Sequence, residues 1–366
     1  MYTNEELMHR CLKLAKNERG NASPNPLVGC VIVKNGMIIG EGYHKKFGEA
    51  HAEVNAIRSA LENVEGSEVY VNLEPCSFYG KTPPCTDLLI EKRIKKVYVA
   101  MLDPNLRVNG NGVKKLRDAG IEVEVGLLQE DAQQLNEAFT KFITKKLPFV
   151  TLKIAQSLDG KIALRNGKSK YITSEESLKK VHELRAEHAA VLVGAGTVKS
   201  DNPELTVRLV EGRHTARIIL DGNLSSPIDS KVFSDGKTRT ILFYSSRSEK
   251  VSKSARRKLE IWKNQGVETY PLRTGPNGKI TVHAVLKKTA ELGIASLLVE
   301  GGASVFSQFI KSGLADKLHL FVAPKILGDG KGFADEIELK NLSQAVKLRK
   351  VEVTQIGDDQ LITGYF

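Results

Sequence analysis

The first chemical signal in this chain lies in four residues of unusual type and spacing. His51 and Glu53 stand in the tripeptide His-Ala-Glu, and two of the four cysteines, Cys76 and Cys85, stand in the stretch PCSFYGKTPPC at 75–85. A structural disulfide would use the cysteines alone; a metal site would use them together with the histidine. Two thiolates and an imidazole form a donor set soft enough to select zinc over magnesium or calcium. Three protein ligands leave a fourth position open for water, the arrangement of a catalytic rather than a structural zinc. One zinc per chain is therefore expected, held by His51, Cys76 and Cys85. Bound zinc lowers the pKa of its water toward neutrality, and Glu53 stands close enough in sequence to carry protons from that water to a leaving group.

Such a site constrains the elements around it. Residues i and i+2 of a helix point about 200° apart, so His51 and Glu53 must lie where the chain enters a helix. The segment AHAEVNAIRSALENV supplies that helix, with Val54, Ile57 and Leu61 at apolar spacing. Pro84 predicts a second helix start, because proline suits the first helical position. The positive end of that helix is expected to favour a thiolate at Cys85. Cys11 and Cys30 read as core residues. Upstream, GCVIVKNGMIIGEGYH is two apolar runs joined by Asn35-Gly36, a type I′ hairpin signal. EVYVNLE, KKVYVAML and IEVEVGLL read as strands, and EDAQQLNEAFTKFITKK as one closing helix. This alternation implies a sheet covered by helices on both faces.

Pro148 marks a boundary, since the residue before a proline avoids helix; two domains, 1–146 and 147–366, are expected. The second half alternates again through the strands FVTLKIA, AAVLVG, ARIILDG, TRTILFYS and ASLLVEGG, and through the helix TSEESLKKVHELRAEH, where Thr173 and Glu176 suggest a capping box. KLHLFVAPKIL, AVKLRKVEVTQIG and QLITGYF follow with no helix between them, which predicts an antiparallel sheet edge. Gly194 and Gly196 follow a strand, but Lys199 breaks the dinucleotide fingerprint. In LLVEGGASVFSQF a strand ends at Glu300, two glycines follow and a helix begins, a place where backbone can approach a ligand and phosphate can meet a helix N-terminus.

Composition narrows the class. The chain has 366 residues, with 41% hydrophobic and 27% charged, as in a soluble globular protein of two domains. No apolar run is long enough for a membrane span, and the charged N-terminus lacks the form of a signal peptide. Sparse cysteine points to a reducing compartment, the cytoplasm. The net charge of +11 is uneven: residues 1–146 carry 20 Lys+Arg against 19 Asp+Glu, and residues 147–366 carry 34 against 24. A nearly neutral metal-binding half and the lack of any long basic run argue against nucleic acid as a partner. Basic residues in the second half suit phosphorylated ligands.

The pairing of H-x-E with a downstream P-C…C is the signature of zinc deaminases that act on bases. With NPLVGCVIV, GEAHAEVNAI, LEPCSFYGKTPPC and MLDPN in the first half, and SLDGKIA, YITS, VGAGTVKSDNPELTVR, VEGG and FVAPKILG in the second, the chain resembles the bifunctional riboflavin-biosynthesis deaminase–reductases of bacteria over nearly its whole length. The resemblance implies an α/β protein of two domains: a cytidine-deaminase-like α/β/α sandwich, then a dihydrofolate-reductase-like α/β domain using NADPH. It implies hydrolytic deamination of 2,5-diamino-6-ribosylamino-4(3H)-pyrimidinone 5′-phosphate, then reduction of the ribosyl chain to ribityl. Carried over residue by residue, Glu53 is catalytic, and Asn25, His44, Lys81 and Asn105 contact the first substrate. Ala155, Tyr171, Thr197, Asp201 and Gly302, Ala303, Ser304, Val305 and Phe306 line the NADPH. Lys153, Ser169, Arg185, Leu205, Arg208 and Glu300 line the second substrate, with the arginines suited to phosphate. Lys153 and Asp201 are expected to assist electrostatically, and the proton donor of the reduction stays unassigned. The family commonly has histidine where this chain has Phe78, so one polar contact is absent or replaced by stacking. A homo-oligomer is expected. Two alternatives stand beside this reading: a deaminase whose second half has lost reduction, and a zinc-stabilised RNA-binding module.

Overall fold

The computed structural model describes residues 2–366 apart from 18–19, 21–22, 47, 80–82, 107 and 248–251. It divides into two compact units, Met1–Lys146 and Leu147–Phe366.

The first unit runs α1 (Asn4–Lys16), β1 (Gly29–Lys34), β2 (Met37–Tyr43), α2 (Ala52–Arg58), β3 (Glu68–Val71), α3 (Cys85–Glu91), β4 (Lys96–Val99), α4 (Asn111–Asp118), β5 (Glu122–Val125), α5 (Gln129–Leu135) and α6 (Glu137–Lys145). Its sheet has the order β2-β1-β3-β4-β5. β1 is antiparallel to β2 and β3, and β3, β4 and β5 are parallel. Alternate strand residues point to opposite faces, so the sheet carries two cores. Ile32, Val69 and Val97 pack with Ala56, Leu89 and Leu116 of α2, α3 and α4. Val31, Tyr70 and Tyr98 pack with Leu7, Met8 and Cys11 of α1 and Ala132 of α5.

The hairpin forms as expected: Asn35 and Gly36 both have positive φ, 51° and 75°, which type I′ requires. Two helices differ from the sequence reading. α2 stops at Arg58, and Leu61 is 88% exposed rather than part of an apolar stripe. The Ser59 hydroxyl donates to the Glu41 carbonyl, and the Leu61 amide donates to the Ile39 carbonyl, so both are drawn to β2. The closing helix is two helices, broken at Asn136. That buried side chain accepts from the Leu27 amide at 2.8 Å and donates to the Leu27 carbonyl at 3.0 Å, a tertiary contact invisible to helical periodicity.

The second unit runs β6 (Phe149–Ser157), β7 (Lys161–Leu164), α7 (Glu175–Glu187), β8 (Ala190–Gly194), α8 (Ala195–Asp201), β9 (Ala216–Leu220), α9 (Lys231–Ser234), β10 (Thr240–Ser245), α10 (Lys253–Asn264), β11 (Glu268–Leu272), α11 (Val282–Glu291), β12 (Ser296–Gly301), α12 (Ala303–Lys311), β13 (Lys317–Ala323), β14 (Gly330–Gly332), β15 (Arg349–Ile356) and β16 (Asp359–Tyr365). Nine strands form one sheet, β11-β10-β9-β8-β12-β6-β13-β16-β15. It is parallel from β11 to β13, and β16 and β15 add the expected antiparallel edge. β7, β11 and β14 are strands beyond those expected from the sequence; β7 and β14 are short and form a separate two-stranded sheet. The cap of α7 is also displaced: Ser174, not Thr173, is the N-cap and accepts from the Ser177 amide. The Asp359 carboxylate fixes that choice by accepting from the Ser174 amide, the Ser174 hydroxyl and the Ser177 hydroxyl. Among the described residues, no helix is long and apolar enough to cross a membrane.

Candidate active sites

In the first unit, α2 and α3 bring their N-termini together. His51 is the N-cap of α2, with extended backbone, and Glu53 lies in its first turn, so the two side chains do not need a common face. α2 is seated close against β2: a Cβ on Gly42 would stand 2.3 Å from the Ala56 amide nitrogen, a distance no side chain tolerates. Asn55 reinforces the seat by donating to the Tyr43 carbonyl at 2.8 Å. Cys85 is the first residue of α3, and Pro84 is its N-cap rather than its first helical residue. Cys76 comes from the loop after β3, and its carbonyl accepts from the amide and hydroxyl of Thr86.

His51 Nδ1 lies 3.3 Å from Cys85 Sγ and 3.5 Å from Cys76 Sγ. The three donor atoms all fall within 4.8 Å of one another. The set fits zinc in donor type and in number. Cys76 is held down to about 4 by the hydrogen bond from Cys85, with His51 and the Cys85 amide adding to it. Cys85 is pushed up by that same hydrogen bond and by burial. The first amide of α3 donates to Cys76 Sγ at 3.3 Å, so the helix start expected to favour a thiolate at Cys85 also stabilises negative charge on Cys76. Burial raises Glu53, the charge of Cys76 raises it further, and it shares a hydrogen bond with Cys85. A carboxyl beside the donor set, within reach of a water there, is placed to carry protons.

Asn25 and His44 meet beside this centre. Asn25 Nδ2 stands 3.0 Å from His44 Nε2, and the His44 ring lies edge-on to His51 with centroids 5.5 Å apart. Asn105 lies in the loop after β4, its amide donating to Asp103. Phe78 and Tyr79 are exposed on the loop that leads toward Cys85. Lys81 lies outside the described residues.

The second unit carries an open cleft of about 1860 Å³ at the carboxyl ends of β6, β8 and β12. Ligands of parallel α/β sheets bind at this end of the strands. Every position named from the sequence for cofactor and second substrate lines it: Lys153 and Ala155 from β6, Ser169 and Tyr171 from the loop before α7, Arg185 from α7, Thr197 and Asp201 from α8, Leu205 and Arg208 beyond it, Glu300 from β12, and Gly302, Ala303, Ser304, Val305 and Phe306 at the start of α12. Gly302 is the N-cap of α12 and carries no side-chain cap. An uncapped helix N-terminus opening on a cleft suits a phosphate group, so this wall fits a phosphorylated dinucleotide.

Glu300 organises the opposite side. It accepts from Arg185 Nε at 2.6 Å and Nη2 at 2.8 Å, and lies 3.3 Å from Lys153 Nζ. Arg185 also donates to the Thr206 carbonyl, so its fork is occupied; Arg208 donates to Thr206 Oγ1 at 2.6 Å and pairs with Glu204 at 3.5 Å, but at 44% exposure it is the more open guanidinium for a phosphate. Ser169 donates to Asp201 at 3.1 Å. Sequence reasoning passed over His182. It is buried, lines the cleft, and lies three residues before Arg185, hence on the same helical face. Its Nδ1 accepts from the Arg208 amide at 2.9 Å. Burial, then the charges of Arg185 and Arg208, hold it down to about 4, so it is a neutral imidazole in a basic wall.

The comparisons with known proteins agree across both units. The RibD C-terminal domain family matches residues 148–362, and the cytidine and deoxycytidylate deaminase zinc-binding region matches residues 1–101. The riboflavin biosynthesis protein RibD of Aquifex aeolicus (strain VF5) is 45% identical over 360 residues, 98% of this chain and 97% of its own. The crystal structure of a diaminohydroxyphosphoribosylaminopyrimidine deaminase/5-amino-6-(5-phosphoribosylamino)uracil reductase from Thermotoga maritima is 42% identical, with a TM-score of 0.86 over 99% of this chain and 98% of that one. Acinetobacter baumannii RibD in its form 1 gives a TM-score of 0.87 at 34% identity, covering 99% and 98%.

Proposed function

This chain belongs to the RibD family, and on that premise we propose that its two units divide between them the family's two reactions. The chain is a bifunctional deaminase–reductase of riboflavin biosynthesis, using zinc and NADPH. The first unit removes an amino group from the phosphorylated diaminopyrimidine ribotide, and the second reduces the ribosyl side chain. The carrying observation is the convergence of His51, Cys76 and Cys85 within 4.8 Å beside the buried carboxyl of Glu53.

His51, Cys76 and Cys85 would hold the zinc. When bound, it supplies a water acidic enough to act as a nucleophile near neutral pH. Glu53 takes a proton from the attacking water and passes one to the departing ammonia; its burial keeps the carboxyl able to do both. Asn25 and His44, locked to one another, present polar edges to the pyrimidine. In the second unit the start of α12 would receive a phosphate of NADPH, with Thr197 and Asp201 across from it. When bound, NADPH would supply a hydride for C1′ of the ring-opened imine form of the ribosylamine, the nitrogen taking a proton from solvent, to give the ribityl chain. Glu300, fixed by Arg185, accepts hydroxyl protons of the sugar. Lys153 adds positive charge at the reacting end, and Arg208 takes the substrate phosphate. We place the enzyme in the cytoplasm. The exposed edge strand β15, with Val351 and Val353 open to solvent, supports a homo-oligomer, which light scattering tests.

Purified protein incubated with the diaminopyrimidine ribotide should release ammonia without cofactor, and form the ribityl product only when NADPH is added. Glu53→Gln should keep its zinc and lose ammonia release by at least about a hundredfold, the scale of general acid–base catalysis. A Gln variant that deaminates at the wild-type rate would remove Glu53 from the mechanism.

A further inference from the structure

We propose that Glu74 is a positioning residue of the metal centre: its carboxylate gathers four backbone amides and thereby fixes the Pro75–Cys76 backbone that aims the Cys76 sulfur at His51. The proposal rests on the reading of His51, Cys76 and Cys85 as the zinc ligands.

Glu74 is buried, 3% exposed, two residues before Cys76. Its Oε1 accepts from the amides of Gly112 at 2.8 Å and Val113 at 3.1 Å. Its Oε2 accepts from the amides of Gly110 at 2.9 Å and Asp103 at 3.1 Å. Gly110 is the N-cap of α4 and has no side chain to cap it. The first amides of a helix lack partners inside it. In α4 the Asn111 amide donates to the Val108 carbonyl, and Glu74 satisfies those of Gly110, Gly112 and Val113. A carboxylate is also favoured there by the helix dipole. The other side of the clamp is steric. A Cβ on Gly112 would stand 2.2 Å from the Pro75 carbonyl oxygen, so α4 presses directly on the backbone that leads into Cys76. The Glu74 amide donates to the Met101 carbonyl at 3.0 Å and ties the segment to the end of β4. Glutamine cannot replace this carboxylate: one of its two ends is an NH2 facing backbone N–H groups that are already donors.

The test is zinc affinity of the full chain, read by competition with a chromogenic chelator and independent of catalysis. Glu74→Gln should weaken zinc binding about 10–100-fold, the usual effect of losing a residue that supports a ligand. Val97→Ala, a core change on β4, serves as a variant of comparable thermal destabilisation and should stay within about twofold of wild type on the same scale. Equal loss of zinc by both variants overturns the proposal, as does a Gln variant that binds like wild type. If Glu74→Gln does not fold, Gly112→Ala crowds both the Pro75 carbonyl and the Glu74 carboxylate and so disturbs the same clamp; unchanged zinc affinity there overturns the proposal equally. A wild-type chain that takes up no zinc refutes the metal-site reading itself, and this inference falls with it.

Discussion

Replacing Glu300 by glutamine should make the stability of the second unit less sensitive to acid over a range where the wild type weakens. Glu300 is buried between two cations, with Arg185 Nε at 2.6 Å and Lys153 Nζ at 3.3 Å. Burial alone would raise its pKa; Arg185 and Lys153 overcome this and hold it at about 2, against an ordinary value of 4.5. A shift of this size corresponds to about 3 kcal/mol at neutral pH, at about 1.36 kcal/mol per pKa unit. Because the folded pKa is the lower one, the contribution is present in full above the unfolded pKa and is lost as pH falls toward the folded one. Proton uptake by the unfolded chain should therefore remove about 2 kcal/mol between pH 7 and pH 3. At pH 7, Glu300→Gln strands two largely covered cations and should cost about 3–5 kcal/mol. At pH 3 the gap between variant and wild type should be narrower by about 2 kcal/mol. The assay is urea unfolding followed by tryptophan fluorescence. Trp262 is the single tryptophan in the chain and is fully buried in the second unit, so its signal reports that unit alone. A gap that stays constant between pH 7 and pH 3 would refute the reasoning, since it would mean that Glu300 titrates alike in the folded and unfolded chains.

Two further outcomes are expected. A fragment of residues 1–146 should release ammonia from the diaminopyrimidine ribotide, and a fragment of residues 147–366 should oxidise NADPH only when given the deaminated product; soluble fragments that regain activity only on mixing would show that one site borrows residues from the other unit. The reductase should prefer NADPH to NADH, with the basic excess of the second half, 34 Lys+Arg against 24 Asp+Glu, favouring the extra phosphate; equal kcat/KM for the two cofactors would count against it.

Most of the architecture was legible because it follows local rules. The hairpin needs two residues able to take positive φ, and Asn35-Gly36 advertises them. Most strands of the two larger sheets are short apolar runs between turn residues, and the helix-free end of the chain became the antiparallel edge. Three of the failures share one cause, a tertiary hydrogen bond overriding a local pattern. Asn136 breaks a periodic helix to reach Leu27. Asp359, far along the chain, selects Ser174 over Thr173 as a cap. Ser59 and Leu61 leave α2 for β2.

The sites divide in the same way. His51, Glu53, Cys76 and Cys85 were legible because metal chemistry demands rare side chains in short, asymmetric spacings, and no core requires that combination. Where the first amide of α3 points was not legible. The sequence shows only which residue begins the helix, not what its amides meet in space. Cys85 begins α3, and its amide donates to Cys76 Sγ, so the helix start serves both sulfurs of the donor set. Glu74 is the stronger case. Its four partners are all backbone amides, so no complementary side chain anywhere in the sequence betrays it. His182 left a trace only after Arg185 was placed, through their spacing of three on α7. A ligand can thus be read from its chemistry alone, whereas the residue that holds a ligand in place is defined by backbone geometry and becomes visible only when the chain is folded.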